Sequence, residues 1–455
     1  MDLEITMLRN AGFAILALVG MLWKEPWGPT IVSAAADNIR DLIAAAQGAP
    51  AVVCDLAADA VGNGWGGAAS DAPVTPLGGH RLPRHSRGRR RYDMSADDVR
   101  FLLESLSTRD ACVREIAVRL LGTQGGDEVG PGLLQLLASP DSTMRSVAAL
   151  GLGLAEPASA VDALVRAVGD PSTGTKANAI WALGRMSDGR AVRPVIAALG
   201  DGSPLVREAA AGALGHLDSA SAVPALLKIL KGDPVAEVRR TAAWALGQLE
   251  ATEAADALGA ALRSDKDAEV REMSAWALGE LDTKRGADAL LAAAKGDEND
   301  SVRETAVWAL GEHGDASAAG ALGDLLATEK NSEVRGTAAW ALGQLDLETA
   351  PKGLIAAVAD ADTDVRTRAA WALSEIGDGA AIPALRSALA KEQDADARKA
   401  EVRALIHSGE RSERLTELLE SKDAEVRAAA IRGVAGRDGG VDPWPWPEPR
   451  PRPFP

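Results

Sequence analysis

Apolar residues between positions 95 and 436 follow a helical beat that stops and restarts at a nearly constant interval. From Val238 the positions Ala242, Ala245, Leu246 and Leu249 stand at i+4, i+7, i+8 and i+11, one face of a helix with 3.6 residues per turn. The next stretch, Ala254 to Leu262, sets Leu258 and Leu262 on one side and stops before Ser264-Asp265-Lys266-Asp267. That reads as a second, shorter helix followed by a turn. The unit then recurs: Val238-Arg239 leads to Trp244-Ala245-Leu246-Gly247, and Val270-Arg271, Val302-Arg303, Val334-Arg335 and Val365-Arg366 lead in the same way to Trp276, Trp308, Trp340 and Trp371. Self-similarity at this length predicts a stack of helix pairs, each unable to bury its apolar face alone.

Weaker copies extend the frame on both sides. The Arg or its substitute falls at Arg114, Arg145, Lys176, Arg207, Arg239, Arg271, Arg303, Arg335, Arg366, Arg398 and Arg427, giving about eleven units spaced 29 to 32 residues apart. Five residues further on stand Arg119, Leu150, Trp181, Gly212, Trp244, Trp276, Trp308, Trp340, Trp371, Arg403 and Arg432. Trp is a mid-array choice, and atypical end units are what a capped solenoid has. Asp267, Asp362 and Asp423, four residues ahead of the Arg, suit an N-cap or first-turn position where free amides and the helix dipole favour a carboxylate. Gly247, Gly279, Gly311 and Gly343 stand where a close helix contact or a helix ending excludes a side chain.

These units resemble HEAT repeats of the bilin-lyase-like subtype. The resemblance rests on the Asp-x-x-x-Arg turns, the Val-Arg-x-x-Ala-Ala-Trp-Ala-Leu-Gly helices and partner helices such as Ala222-Val223-Pro224-Ala225-Leu226-Leu227-Lys228-Ile229-Leu230. It covers about Ser95 to Ala435 and is weakest at Thr175-Lys176 and Ala397-Arg398. The fold it implies is all-α, a right-handed superhelix of about eleven HEAT-type helix pairs. The function it implies is mainly scaffolding and protein binding, with lyases a small enzymatic branch.

Composition fits such an array: only 3% of residues are aromatic, and the 47% that are hydrophobic are mostly Ala and Leu. The formal net charge of −16 is concentrated in the repeats, where residues 101–435 hold 36 Lys+Arg against 51 Asp+Glu. Phosphate recognition wants clustered cations, so a nucleic-acid partner is disfavoured and a basic or neutral protein or peptide partner is favoured.

Outside the array, residues 1–36 read as a signal peptide. Ala11 to Leu22 is an apolar run of 12, too short for a comfortable membrane span and right for an h-region, with Ser33-Ala34-Ala35-Ala36 as a small-residue cleavage site. Asp2 and Glu4 are wrong for the preceding region, whereas a start at Met7 gives a better one. Export to the periplasm or cell envelope is expected, with a cytoplasmic location as the alternative. Residues 37–77 hold two short helices, around Ile39 to Ala46 and Val52 to Val61, too small for a domain. Residues 78–94 form a basic Gly/Arg-rich linker, and Ser95 with Asp98 caps a helix over Val99 to Leu106. Residues 437–455 are a Pro/Trp-rich tail expected to be extended.

Candidate chemistry is sparse. Cys54 and Cys112 favour unpaired, buried thiols, with a disulfide between the N-terminal segment and the first unit as the alternative after export. His80, His85, His216, His313 and His407 are not followed by Glu, so the His-Glu dyads of HEAT-repeat di-iron hydroxylases are missing and no metal or other cofactor is expected. His216, His313 and His407 fall near helix ends, where capping or solvated histidines are common. The column Trp181, Trp244, Trp276, Trp308, Trp340 and Trp371 carries most functional content. Trp244 lies about 240° round from Val238, flanking the buried stripe. Packing of each ring on the equivalent helix of the next unit is the bland expectation; a ladder of open ring edges on the concave face, ready for a peptide, is the functional one. Gly212 breaks the column as a kink or a place of close partner approach.

The sequence therefore predicts a non-enzymatic protein-binding scaffold using a concave face lined by the Val-Arg helices. A bilin-lyase-like enzyme or chaperone cradling a tetrapyrrole and a structural envelope spacer are the alternatives.

Overall fold

The computed structural model describes residues 38–61, 94–281, 283–410, 417–422 and 424–434. The expected signal peptide, basic linker and Pro/Trp-rich tail, like Asp423, lie outside the described residues. Helices α1 (Asn38–Ala46), α2 (Ala51–Ala60) and α3 (Ala96–Ser105) precede the array. The Val-Arg helices are α4 (Ala111–Gly122), α6 (Ser142–Ala155), α8 (Thr173–Met186), α10 (Pro204–His216), α12 (Ala236–Gln248), α14 (Ala268–Glu280), α16 (Asp300–Glu312), α18 (Ser332–Gln344), α20 (Thr363–Ile376), α22 (Ala395–His407) and α23 (Ala424–Val434). Between them run shorter partners: α5 (Gly126–Leu137), α7 (Val161–Ala167), α9 (Val192–Ala198), α11 (Val223–Gly232), α13 (Ala255–Ser264), α15 (Ala287–Gly296), α17 (Ala319–Thr328), α19 (Lys352–Ala357) and α21 (Ile382–Leu389). The fold is an α-solenoid.

Two layers result. Val238, Ala242, Ala245 and Leu246 are fully buried between the layers, as their periodicity predicts. Consecutive Val-Arg helices lie closer together along the stack than consecutive short helices do. The Val-Arg helices are termed the inner layer and the short helices the outer layer. The close approach depends on small residues: a Cβ at Gly184 would come within 2.8 Å of the Ala213 backbone.

Capping follows the predicted acids. Asp267 accepts from the amides of Glu269 and Val270, and Asp362 from those of Asp364 and Val365. Ser95 and Asp98 form a reciprocal capping box at α3. The units of Lys176 and Arg398, where the resemblance is weakest, are complete helices of 14 and 13 residues.

The repeated arginines join each unit to the next, a role the sequence reading missed. Arg239 donates through Nε and Nη2 to both oxygens of Asp265 at 2.8 Å, while its Nη1 donates to the Asp233 carbonyl at 2.9 Å. Asp233 in turn takes Arg207, and Asp297 takes Arg271. Arg303–Glu329, Arg335–Asp360 and Arg366–Glu392 continue the ladder, and Lys176–Asp201 keeps a rung where Arg is lost. Burial pushes the Asp265 carboxyl up, but the Arg239 guanidinium and the Asp267 amide more than offset it and hold it below the usual carboxylate range. In the eight units from Arg145 to Arg366 the acid lies 25 or 26 residues after the Arg or Lys, a second periodicity visible in the sequence.

The N-terminal hairpin of α1 and α2 packs on α4, burying Ile39, Ile43, Ala46, Cys54, Ala58 and Val61. Its cysteine corrects the preference for unpaired thiols: Cys54 and Cys112 form a disulfide with Cα atoms 5.6 Å apart. A separation of 58 residues gives no local sign of this pairing, which exists only because the hairpin docks on the first unit.

Candidate functional site

Six tryptophans form a column along the inner layer, but the rings lie in the seams between units. Trp308 and Trp340 are 2% exposed, Trp244 6% and Trp181 8%. Trp276 and Trp371 are partly exposed. Each ring leans on the preceding unit, where a glycine leaves the room: a Cβ at Gly279 would meet Trp308 Cζ3 at 2.7 Å, and one at Gly311 would meet Trp340 Cζ3 at 2.8 Å. Gly153–Trp181, Gly215–Trp244, Gly247–Trp276 and Gly343–Trp371 repeat this contact. A ladder of open ring edges is therefore absent at Trp181, Trp244, Trp308 and Trp340, and the packed arrangement runs backward to the preceding unit instead of forward. The glycines predicted for a close contact or a helix ending serve the contact. Left-handed backbone at the ending falls three residues later, at Glu250, Gly314 and Asp346. Helix α10 runs unbroken through Gly212, so the gap in the column is not a helix break.

The solvent side of the inner layer is strongly acidic. Across α12, α14, α16, α18 and α20, leaving aside the ladder arginines and Asp300, which pairs with Arg303, the exposed and half-buried charges are nine carboxylates, from Glu237, Glu269, Glu272, Glu280, Glu304, Glu312, Glu333, Asp364 and Glu375, against two guanidinium groups, from Arg240 and Arg368. Both arginines are engaged: Arg240 pairs with Glu269 on the next helix, and Arg368 stands 3.9 Å from Glu333 on the preceding one. Gly336 makes room for Arg368, whose Nη1 would lie 2.6 Å from a Cβ there.

Glu272 and Glu304 are the half-buried acids of this face. Burial, then the negative charges of Glu269 and Glu304, push the Glu272 carboxyl up to about 7 despite Arg240. Burial and Glu333 also raise Glu304, although Thr337 Oγ1 donates to its Oε1 at 3.3 Å and Arg368 lies near. Trp276 stands one helical turn after Glu272 on the same face. An aromatic edge flanked by carboxylates short of cations is suited to a lysine or arginine side chain. Charge and partial exposure, not the whole Trp column, mark this surface.

The histidines make structural contacts. His313 Nε2 is 2.8 Å from the Leu278 carbonyl, His407 Nδ1 is 2.9 Å from Ser374 Oγ, and the His216 ring meets Trp244 edge-on at 5.1 Å. His80 and His85 lie outside the described residues. Among the described residues no group of His, Cys, Asp or Glu could hold a metal ion.

Against known proteins, the family of HEAT repeats matches in eight overlapping segments between residues 99 and 406. No curated protein matches. Among solved structures, the Kap95:Nup1 complex is 15% identical with a TM-score of 0.51, over 75% of this chain and 57% of that one; this chain thus spans little more than half of it. The complex of CpcE and CpcF of phycocyanin lyase from Nostoc sp. PCC7120 is 25% identical with a TM-score of 0.33, over 49% of this chain and 90% of that one. Human deoxyhypusine hydroxylase is 26% identical with a TM-score of 0.26, over 56% and 98%.

Proposed function

The chain belongs to the HEAT-repeat family, and from that premise we propose that it is a non-enzymatic protein-binding scaffold whose concave Val-Arg face receives a basic protein or peptide. The observation that carries this reading is the nine-to-two excess of carboxylates over guanidinium groups, ladder arginines and Asp300 aside, on five successive Val-Arg helices. Buried in an interface, such a face needs cations opposite it, because carboxylates in excess over cations are costly to desolvate. The fold likeness to Kap95, a protein seen in complex with Nup1, is in keeping with a binding role. Trp276 and Trp371, the two partly exposed rings of the column, are the aromatic anchors of the reading. The tetrapyrrole-cradling and spacer alternatives have no comparable observation in their favour.

We place the scaffold outside the cytoplasm. The Cys54–Cys112 disulfide supports an oxidising compartment, and the apolar run before Ala34-Ala35-Ala36 supports export.

The test is affinity capture from the native host with the full chain and with a Glu272→Gln/Glu304→Gln variant as baits, side by side. Proteins held by the wild type and lost by the variant are expected to be basic at the contact. An identical set of proteins on both baits would overturn the assignment to this face.

A further inference from the structure

We propose that the N-terminal hairpin, residues 38–61, is a redox latch on the first unit, covalently closed by Cys54–Cys112 and reducible only after the hairpin lifts off. Its helices have 9 and 10 residues, shorter than isolated helices that persist in water, so they form only while docked. Lifting and unfolding of the hairpin are thus one event, and the latch has two states.

The docked state is held at several points. Ile39, Ile43, Ala46, Ala58 and Val61 are buried against the array. The Gly48 amide donates to Asp110 Oδ2 at 2.7 Å, and the Arg40 guanidinium lies 4.4 Å from the centre of the Phe101 ring. Arg119, standing where later units have Trp, is 2% exposed and pairs with fully buried Glu115 at 2.7 Å. Its Nη1 donates to the Ala58 carbonyl at 3.3 Å. Lifting the hairpin therefore takes away the carbonyl that caps this buried ion pair.

Cys54 is 0% exposed and Cys112 4%. Thiol–disulfide exchange needs a thiolate to reach a sulfur, so an external reductant is excluded while the hairpin is down. A dithiol serves as the reductant. Its thiolate attacks one sulfur of the pair to give a mixed disulfide, its second thiol resolves that bond, and the reductant leaves oxidised while Cys54 and Cys112 each take a proton as thiols. Once open, the chain loses the restraint of a 58-residue closure, which changes the docking equilibrium roughly a thousandfold. The latch is independent of what occupies the central concave face.

Hydrogen exchange on the full-length chain, oxidised and after reduction with dithiothreitol, tests it. Amides of residues 38–61 are expected to lose protection by roughly a thousandfold on reduction, while those of α8 to α20 keep theirs. Retained protection in the reduced hairpin, or loss across the whole array, would overturn the proposal. Gating has its own readout: Ile43→Ala should speed reduction of the otherwise native chain roughly thirtyfold or more by weakening docking. An unchanged reduction rate in a variant that still folds would refute gating.

Discussion

If the Trp rings are seam-fillers keyed to the preceding glycine, Gly279 and Trp308 must be energetically coupled. Trp308 is 2% exposed, and its truncation to Ala should cost about 3–5 kcal/mol through lost burial and the cavity left behind. Gly279→Ala introduces a Cβ 2.7 Å from Trp308 Cζ3, inside normal contact, and should cost about 1–3 kcal/mol as overpacking. Gly279 is next to last in α14, so the gain in helix propensity offsets only a small part of this. With Trp308 already truncated, the remaining neighbours are Ala309 Cβ at 3.0 Å and Cα at 3.1 Å. The penalty of Gly279→Ala should then shrink but not vanish, leaving a coupling of about 1–2 kcal/mol. Urea unfolding of the four chains of this cycle, followed by circular dichroism so that the missing indole does not alter the probe, measures it. Additivity within about 0.5 kcal/mol would refute the lock between ring and glycine.

The ladder and the buried acids give the other predictions. Arg271→Ala should cost about 3 kcal/mol, because it strands the Asp297 carboxylate, which is 8% exposed; a loss under about 0.5 kcal/mol in urea unfolding would refute the load assigned to this rung. The ladder acids are held below their unfolded values, so their pairing stabilises the array above about pH 4 and is lost as pH falls through the folded values; acid titration of Arg271→Ala should show less loss than the wild type. Glu401 is fully buried with both carboxyl oxygens unpartnered, at the position where earlier units have Ala369, Ala338 and Ala306, and burial followed by the charge of Glu392 pushes it up to about 8. Because this value is raised, stability is full below the unfolded carboxylate value and lost as pH rises toward 8, by about 3–5 kcal/mol; Glu401→Ala should remove that loss between pH 5 and 8.5, and an unchanged slope would count against it. Glu272, raised to about 7, must ionise to meet a cation, so binding of a fluorescent nona-arginine peptide should strengthen from pH 6 to 8 and show less of that dependence in Glu272→Gln, where Glu304 remains; equal affinity at both pH values in the wild type would contradict the site.

The units, their two helices and the Asp267 and Asp362 caps were legible because each depends on neighbours within one turn or one period. The burial of Trp308 was only half legible. Its angle around the helix places it beside the core stripe, and whether it is covered depends on the adjacent unit and on Gly279. The Arg239–Asp265 rungs were missed because the partner lies 26 residues away, though a second count of acids finds it. The disulfide was beyond local reading, since nothing near Cys54 or Cys112 announces that the hairpin folds back on α4. The acid character of the array was plain in the net charge, but its concentration on one face required knowing that Glu237, Glu272 and Glu304 share the side opposite the short helices.

Site-specific photo-crosslinking in the native host tests the central claim most directly. A photoreactive residue would replace either Gln248, exposed on the inner face beside the Trp column, or Lys228, exposed on the outer layer of α11. The account predicts a discrete protein adduct from position 248, abolished by Glu272→Gln/Glu304→Gln, and none from position 228. Adducts formed only from position 228, or equally from both and insensitive to the double substitution, would contradict a scaffold that binds through its acidic concave face.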